Sequence, residues 1–292
     1  DTAAFAFVTR DPTALGTSGG WASPLAVAGV QAFLGSLTPY SAIAELMPQG
    51  VQVSFKPGAS FPARSTDPNV YGVIAEGDPI PARSAMLNGI TLTPAKIGGI
   101  VVISRGIATR ANGQAAIEAL VREDAGRSLD AAYFSTATGG LLNGVTAITP
   151  DVAESREAML NDLAAVASAA AANGSGNVSI VVSPARYAKI RVLEPNFALP
   201  LYASIAVPSD RVLAVDGSAL VHGFSSEPDI DATEAATVHM DSAPSAIVDG
   251  TAAAPVRSLY QTAAIGVRCI LDIGFAKRTA TAAAFVDGIE NW

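Results

Sequence analysis

The sequence predicts an α+β fold. Three stretches predict it: a long amphipathic helix over residues 112–136, a long alternating strand over 258–276, and helix–strand alternation through 151–249. In 112–136 apolar residues recur at Ile117, Leu120, Val121, Ala125, Leu129, Ala132 and Tyr133, the three-and-four spacing of a helix with one buried stripe. The opposite face carries Glu118, Arg122, Glu123, Arg127 and Asp130 and is expected to meet water or a polar neighbour. Glu118–Arg122 and Glu123–Arg127 are acid-then-base pairs four apart, each worth a few tenths of a kcal/mol. At about 1.5 Å per residue this helix runs roughly 37 Å. In a chain poor in catalytic residue types it reads as a strut.

Taken in order, residues 1–20 are small, polar and Gly-rich and read as an extended arm with no core of its own. A short helix is expected over 27–34 and another over 43–47. From 51 to 92 strand-like pieces are punctuated by Pro and Gly. The alternating 51–55 is expected to pair with 70–74 across the turn-rich tip KPGASFPARSTDPN. A two-stranded ribbon of that kind is marginal alone and needs a neighbour to lie on.

Residues 96–105 (KIGGIVVISR) form an apolar strand leading into the long helix. After it, 139–144 is a Gly-rich loop. A second helix spans 153–172, with Met159, Leu160, Leu163, Val166 and Ala170 on one face and Asn173-Gly174 as its C-cap. Then follow a buried strand at 178–182, a Pro-initiated helix at 184–193, and strands at 211–215 and 219–222. In the closing stretch Ala263, Ile265, Val267, Cys269, Leu271, Ile273 and Phe275 share one face. At about 3.3 Å per residue, 258–276 extends roughly 60 Å, and 281–286 is expected to fold back beside it.

Composition excludes several function classes. The net charge is −8, from 18 Lys and Arg against 26 Asp and Glu, with no basic run. Tight binding along nucleic acid needs clustered cations that release counterions, so it is not expected here; if the chain meets nucleic acid, it contains it rather than grips it. Charged residues are only 15% of the chain, below the usual quarter, which suits a subunit that buries much of its surface against partners. The lone Cys269 excludes an internal disulfide and reads as a buried small hydrophobe. Residues 12–44 carry no charge, but Pro24, Gln31 and Pro39 interrupt the apolar run, so no membrane span is expected. Asp1-Thr2-Ala3-Ala4 lacks the basic n-region of a signal peptide.

Chemistry-bearing constellations are sparse. His222 and His239 follow no metal-ligand spacing and read as surface or structural. The Gly-Ser-Gly at 174–176 is not a nucleophile elbow, and there is no GxxxxGK or GxGxxG. The acidic pairs Asp229/Asp231 and Glu123/Asp124 have nothing assembled around them for acid–base work or cation binding. No catalytic, cofactor-binding or metal residue is therefore assigned.

A set of local strings, in order across nearly the whole chain, resembles the major capsid proteins of tailed bacteriophages, with the Hong Kong 97-type capsid fold. They are AEGDPIP at 75–81, KI at 96–97, VISR at 102–105, VP at 207–208, DG at 216–217 and ALV at 219–221. ATVHMD at 236–241, PVRSLYQT at 255–262 and IGVR at 265–268 complete them. The resemblance implies an N-terminal arm (1–50), an extended β-hairpin loop (51–95), a peripheral domain (96–150 with 250–292) built on the spine helix and long strand, and an axial domain (151–249). It implies a shell of pentamers and hexamers around double-stranded DNA without sequence-specific binding, a portal as a further partner with decoration proteins left open, and a virion assembled in the host cytoplasm. It also implies removal of an N-terminal scaffolding segment, which would account for Asp1. Some members cross-link a loop lysine to an asparagine. Here only Lys56, Lys96, Lys189 and Lys277 exist, Lys56 lies at the hairpin base, and no asparagine partner stands in 250–290, so no cross-link is expected. The alternatives are a cellular nanocompartment shell of the same fold and, less favoured, an α/β enzyme built on 151–249.

Overall fold

Two apolar runs, VSIVV and VLAVD, are buried at every position, as strands covered on both faces must be. They lie at the centre of a computed structural model that describes residues 36–38, 40–54, 60–64, 76, 87–92, 95–108, 113–172, 176–224, 229–240, 256–290 and 292.

In chain order, the first helix is α1 (Ala42–Leu46), whose N-cap Ser41 accepts a hydrogen bond from the Ala44 N–H. A 3-10 turn, Met47–Gln49, leads into β1 (Val51–Ser54). Strands β2 (Ser60–Arg64) and β3 (Leu87–Thr91) pair antiparallel. Next come β4 (Ala95–Ser104), the short α2 (Arg105–Ala108) and the spine helix α3 (Gly113–Tyr133). The chain continues with α4 (Arg156–Ala171), β5 (Val178–Val182), α5 (Pro184–Leu193), β6 (Leu201–Ala203), β7 (Val212–Asp216), β8 (Leu220–Phe224), β9 (Asp229–Thr233) and β10 (Thr237–His239). It closes with β11 (Val256–Ser258), β12 (Ala264–Lys277) and β13 (Ala283–Val286).

Among the described residues the larger sheet runs β1-β8-β12-β4, with β9 also on β12. The second runs β13-β7-β5-β6. Alternation along β5 and β7 sends their side chains into two cores. Val181, Leu213 and Val215 pack with Leu37, Ile43, Leu129, Tyr133, Leu271 and Ile273. Val178, Ile180, Val182, Val212 and Ala214 pack with α4, α5 and Trp292. The second sheet therefore joins the spine end on one face to two helices on the other.

Several expectations hold. The strand at 95–104 and the helices and strands at 156–193 fall where the pattern places them, with Met159, Leu163, Val166 and Ala170 buried on α4. Ser155 caps α4 by accepting from the Ala158 N–H at 3.1 Å. The stretch 43–47 is helical as α1 and its following turn. The expected helix at 27–34, the strand at 70–74 and the cap at 173–174 lie outside the described residues.

Others are corrected. The spine helix ends at Tyr133, and its 21 residues span about 32 Å. Leu120, placed in the buried stripe, is 65% exposed, and Asp130, placed on the wet face, is 1% exposed. The buried line runs through Val121, Ala125, Leu129 and Tyr133, one position round from Leu120, because the helix end is turned toward α1 and β8.

The strand at 51–54 pairs parallel with β8, and the antiparallel ribbon within 51–95 is made by β2 and β3. The long strand is shorter than 258–276: a turn at 259–263, with Ala263 at φ 48, separates β11 from β12. The 14 residues of β12 extend about 46 Å. Strand β13 does not return beside β12 but pairs with β7, where its AAFV run is fully buried. Strand β8, at the expected 219–222 stretch, pairs with β12, as does β9, a strand that the sequence pattern did not mark. The chain thus crosses between sheets in both directions.

Candidate functional site

Helix α3 lies against the paired strands β4 and β12. A narrow gap of about 130 Å³ between helix and sheet is lined by Ile97, Val101, Val121, Ala125, Val267 and Leu271. Cys269 also lines it, half-buried, its thiol pKa pushed up first by burial and then by Asp229. It was expected to be buried and is only partly so.

Asp229, Asp231 and Glu123 each meet a cation. Arg268 meets Asp229 at 3.0 Å and Asp231 at 4.0 Å on the exposed side of β12 and β9. Arg127 meets Glu123 at 3.3 Å, the i,i+4 pair read from the sequence. Among the described residues no group of His, Cys, Asp and Glu is arranged to hold a metal ion, and no helix is long and apolar enough to cross a membrane. The two histidines are not brought together: His222 is on β8 and fully buried, whereas His239 is half-buried on β10.

Buried polar side chains instead tie distant segments together. Asp130 accepts from the Ser41 hydroxyl at 2.5 Å, the Ala42 and Ile43 N–H groups at 3.0 and 3.2 Å, and the Ser204 hydroxyl at 2.5 Å. Burial raises its pKa, and the hydrogen bonds from Ser204, Ser41, Ala42 and Ile43 pull it back down. Arg186, buried on α5, donates to the carbonyls of Ser209, Ile289 and Trp292 and lies 4.5 Å from the Trp292 ring centroid. The Trp292 indole N–H donates to Asp162 at 2.7 Å, and Arg211 grips Asp287 through two hydrogen bonds at 3.1 and 2.9 Å. Sequence reading missed these. Asp130 and Asp162 each sit within the apolar spacing of a helix, which is the signal that could have marked them as buried.

What the surface leaves open is apolar. Tyr260 is 83% exposed, Val152 81% and Val192 78%, and Leu120, Ile205 and Ile100 are also exposed. These side chains are spread over α3, β4, α5 and three loops.

No protein-family model and no curated protein sequence matches the chain. Solved structures do. A chain from Mycobacterium phage Bobi matches with TM-score 0.57 at 17% identity, over 83% of this chain and 89% of that one. A chain of the capsid of a native GTA particle matches with TM-score 0.51 at 12% identity, over 99% of this chain and 98% of that one. A virus-like particle from Pyrococcus furiosus matches with TM-score 0.51 at 13% identity, over 90% and 99%. The chain has the capsid-type α+β fold of these particles, and the resemblance carried by its sequence strings holds at the level of the fold.

Proposed function

We propose that the chain is a major capsid protein of the Hong Kong 97 type, a non-enzymatic subunit that self-assembles into an icosahedral shell around double-stranded DNA. The observation that carries this reading is a capsid-type fold matched over 99% of the chain, in a subunit whose large apolar side chains stand exposed when it is alone. Interface burial yields about 25 cal/mol per Å², so many modest contacts, each repeated around a closed shell, stabilise it without any single strong site. In this reading 1–50 is the arm and 51–95 the extended loop. Residues 96–150 with 250–292 form the peripheral domain and 151–249 the axial domain, the two sharing strands through β8, β9 and β13. The subunits form pentamers and hexamers, a portal occupies one vertex, and the net charge of −8 leaves enclosed DNA unbound by sequence. The location is the virion, assembled in the host cytoplasm, and no lysine–asparagine cross-link forms.

Electron microscopy of the purified full chain tests this. Closed, uniform shells are expected, and a monodisperse monomer at high concentration overturns it. A second reading, a cellular nanocompartment shell, is favoured by the likeness to the Pyrococcus furiosus virus-like particle. Nuclease-protected DNA in shells from the native source supports the capsid, whereas protein cargo without DNA supports the compartment.

A further inference from the structure

The last turn of α3, the 3-10 turn Met47–Gln49 and β8 meet at one imidazole. His222 is fully buried. Its Nδ1 shares a hydrogen bond of 2.9 Å with the Tyr133 hydroxyl, and its Nε2 has no hydrogen-bond partner among the described residues. On the Nε2 side the backbone closes over the ring at Gly50. A Cβ added there would lie 2.8 Å from Nε2 and 3.0 Å from the Leu220 carbonyl oxygen, so only glycine permits this approach. Tyr133 is held in turn by stacking on Phe275, ring centroids 3.8 Å apart.

Among the described residues no carboxylate is recorded against this ring. The residues presented to it are Tyr133 from α3, Gly50 from the turn, Gln52 from its register partner β1 and Phe275 from its register partner β12. Lys277, two positions beyond Phe275 on β12, is itself a cation and donates to the Asn143 carbonyl. Glu45 on α1 is exposed. Asp130, one turn back on α3, is committed to α1 and Ser204.

We propose that His222 is an acid-sensitive latch: proton uptake by its imidazole releases the 47–50 turn, with α1 and β1, from the last turn of α3 and from β8. Burial pushes the pKa of the ring from 6.5 down to about 4, whereas in the opened form the ring returns toward 6.5. The closed form is therefore fully favoured above 6.5 and loses ground as pH falls from 6.5 to about 4. Across that interval the closed-to-open ratio drops about 80-fold, and about 300-fold in all once the pH is well below 4. Asp130 has the opposite sign: its pKa is raised by burial, so its own protonation favours the closed form.

Hydrogen exchange of the full chain, read by mass spectrometry between about pH 7.5 and pH 4.5 after correction for intrinsic rates, tests the latch. Peptides covering 42–52 are expected to gain exchange on acidification while β5 and β7 do not, and His222→Gln is expected to abolish that gain. No gain in the parent chain, or an equal gain in H222Q, overturns the proposal. If H222Q does not fold, the imidazole proton titration of the parent chain followed by NMR decides. A His222 value near 4 supports the latch and one near 6.5 overturns it. The latch lies within one subunit, so a chain that opens in acid but never forms shells supports it while overturning the shell reading.

Discussion

Ser204 donates its hydroxyl to Asp130 at 2.5 Å, joining residues 74 positions apart. The same carboxylate caps α1 through Ser41, Ala42 and Ile43. One side chain on the spine helix thus fixes both the start of α1 and the loop after β6.

Replacing Asp130 with Ala strands two hydroxyls and two N–H donors in a buried site. The expected loss is about 3–5 kcal/mol, and about 1–2 kcal/mol for Asp130→Asn, which keeps one acceptor oxygen. Urea unfolding checks this: the midpoint falls in that order at unchanged slope.

Ala263 holds a left-handed backbone, φ 48, in the turn between β11 and β12. The left-handed region costs an L-residue about 1–2 kcal/mol, partly offset by the extra unfolded-state freedom of glycine. Ala263→Gly is therefore expected to stabilise the chain by about 0.5 kcal/mol, read as a small rise in melting temperature.

At Gly140 the opposite holds. A Cβ there would lie 2.0 Å from the Ser135 carbonyl oxygen, so Gly140→Ala forces the turn after α3 apart. A loss of about 2 kcal/mol or more is expected in the same unfolding experiment.

Val192→Asp and Leu120→Glu alter side chains that are largely exposed, which the shell reading places in contacts between copies. Both variants are expected to keep the circular dichroism and melting temperature of the parent chain while shell yield by sedimentation falls at least about tenfold, the effect of roughly 1.4 kcal/mol per contact.

The Asp229/Asp231 pair is held by an exposed Arg268, an arrangement worth less than about 1 kcal/mol. Arg268→Ala is expected to shift the melting temperature by only a degree or two. Millimolar calcium is expected to leave the parent chain unshifted.

The sequence was most legible where a periodicity met a single environment. VSIVV and PARYAKIRVL were placed to the residue because a doubly buried strand and a Pro-initiated helix leave little choice. It was least legible where pairing is non-local. Val51–Ser54 alternates cleanly, yet alternation says nothing of which strand lies alongside, and β8 is some 170 positions away. Asp130 defeated the helical pattern for a related reason: its charge argued for water, and its partners come from residues 41–43 and 204. The exposure of Leu120 was not legible either, because it depended on the turn of α3.

Strand β13 completes the sheet that β5 and β7 begin, and Trp292 seals the cluster beneath α4 and α5. During synthesis β7 must wait some seventy residues for its outer neighbour, so a ribosome-bound fragment cannot finish this half of the molecule. Until β13 emerges, β7 keeps an open edge and the cluster under α4 and α5 lacks Ala284, Val286 and Trp292.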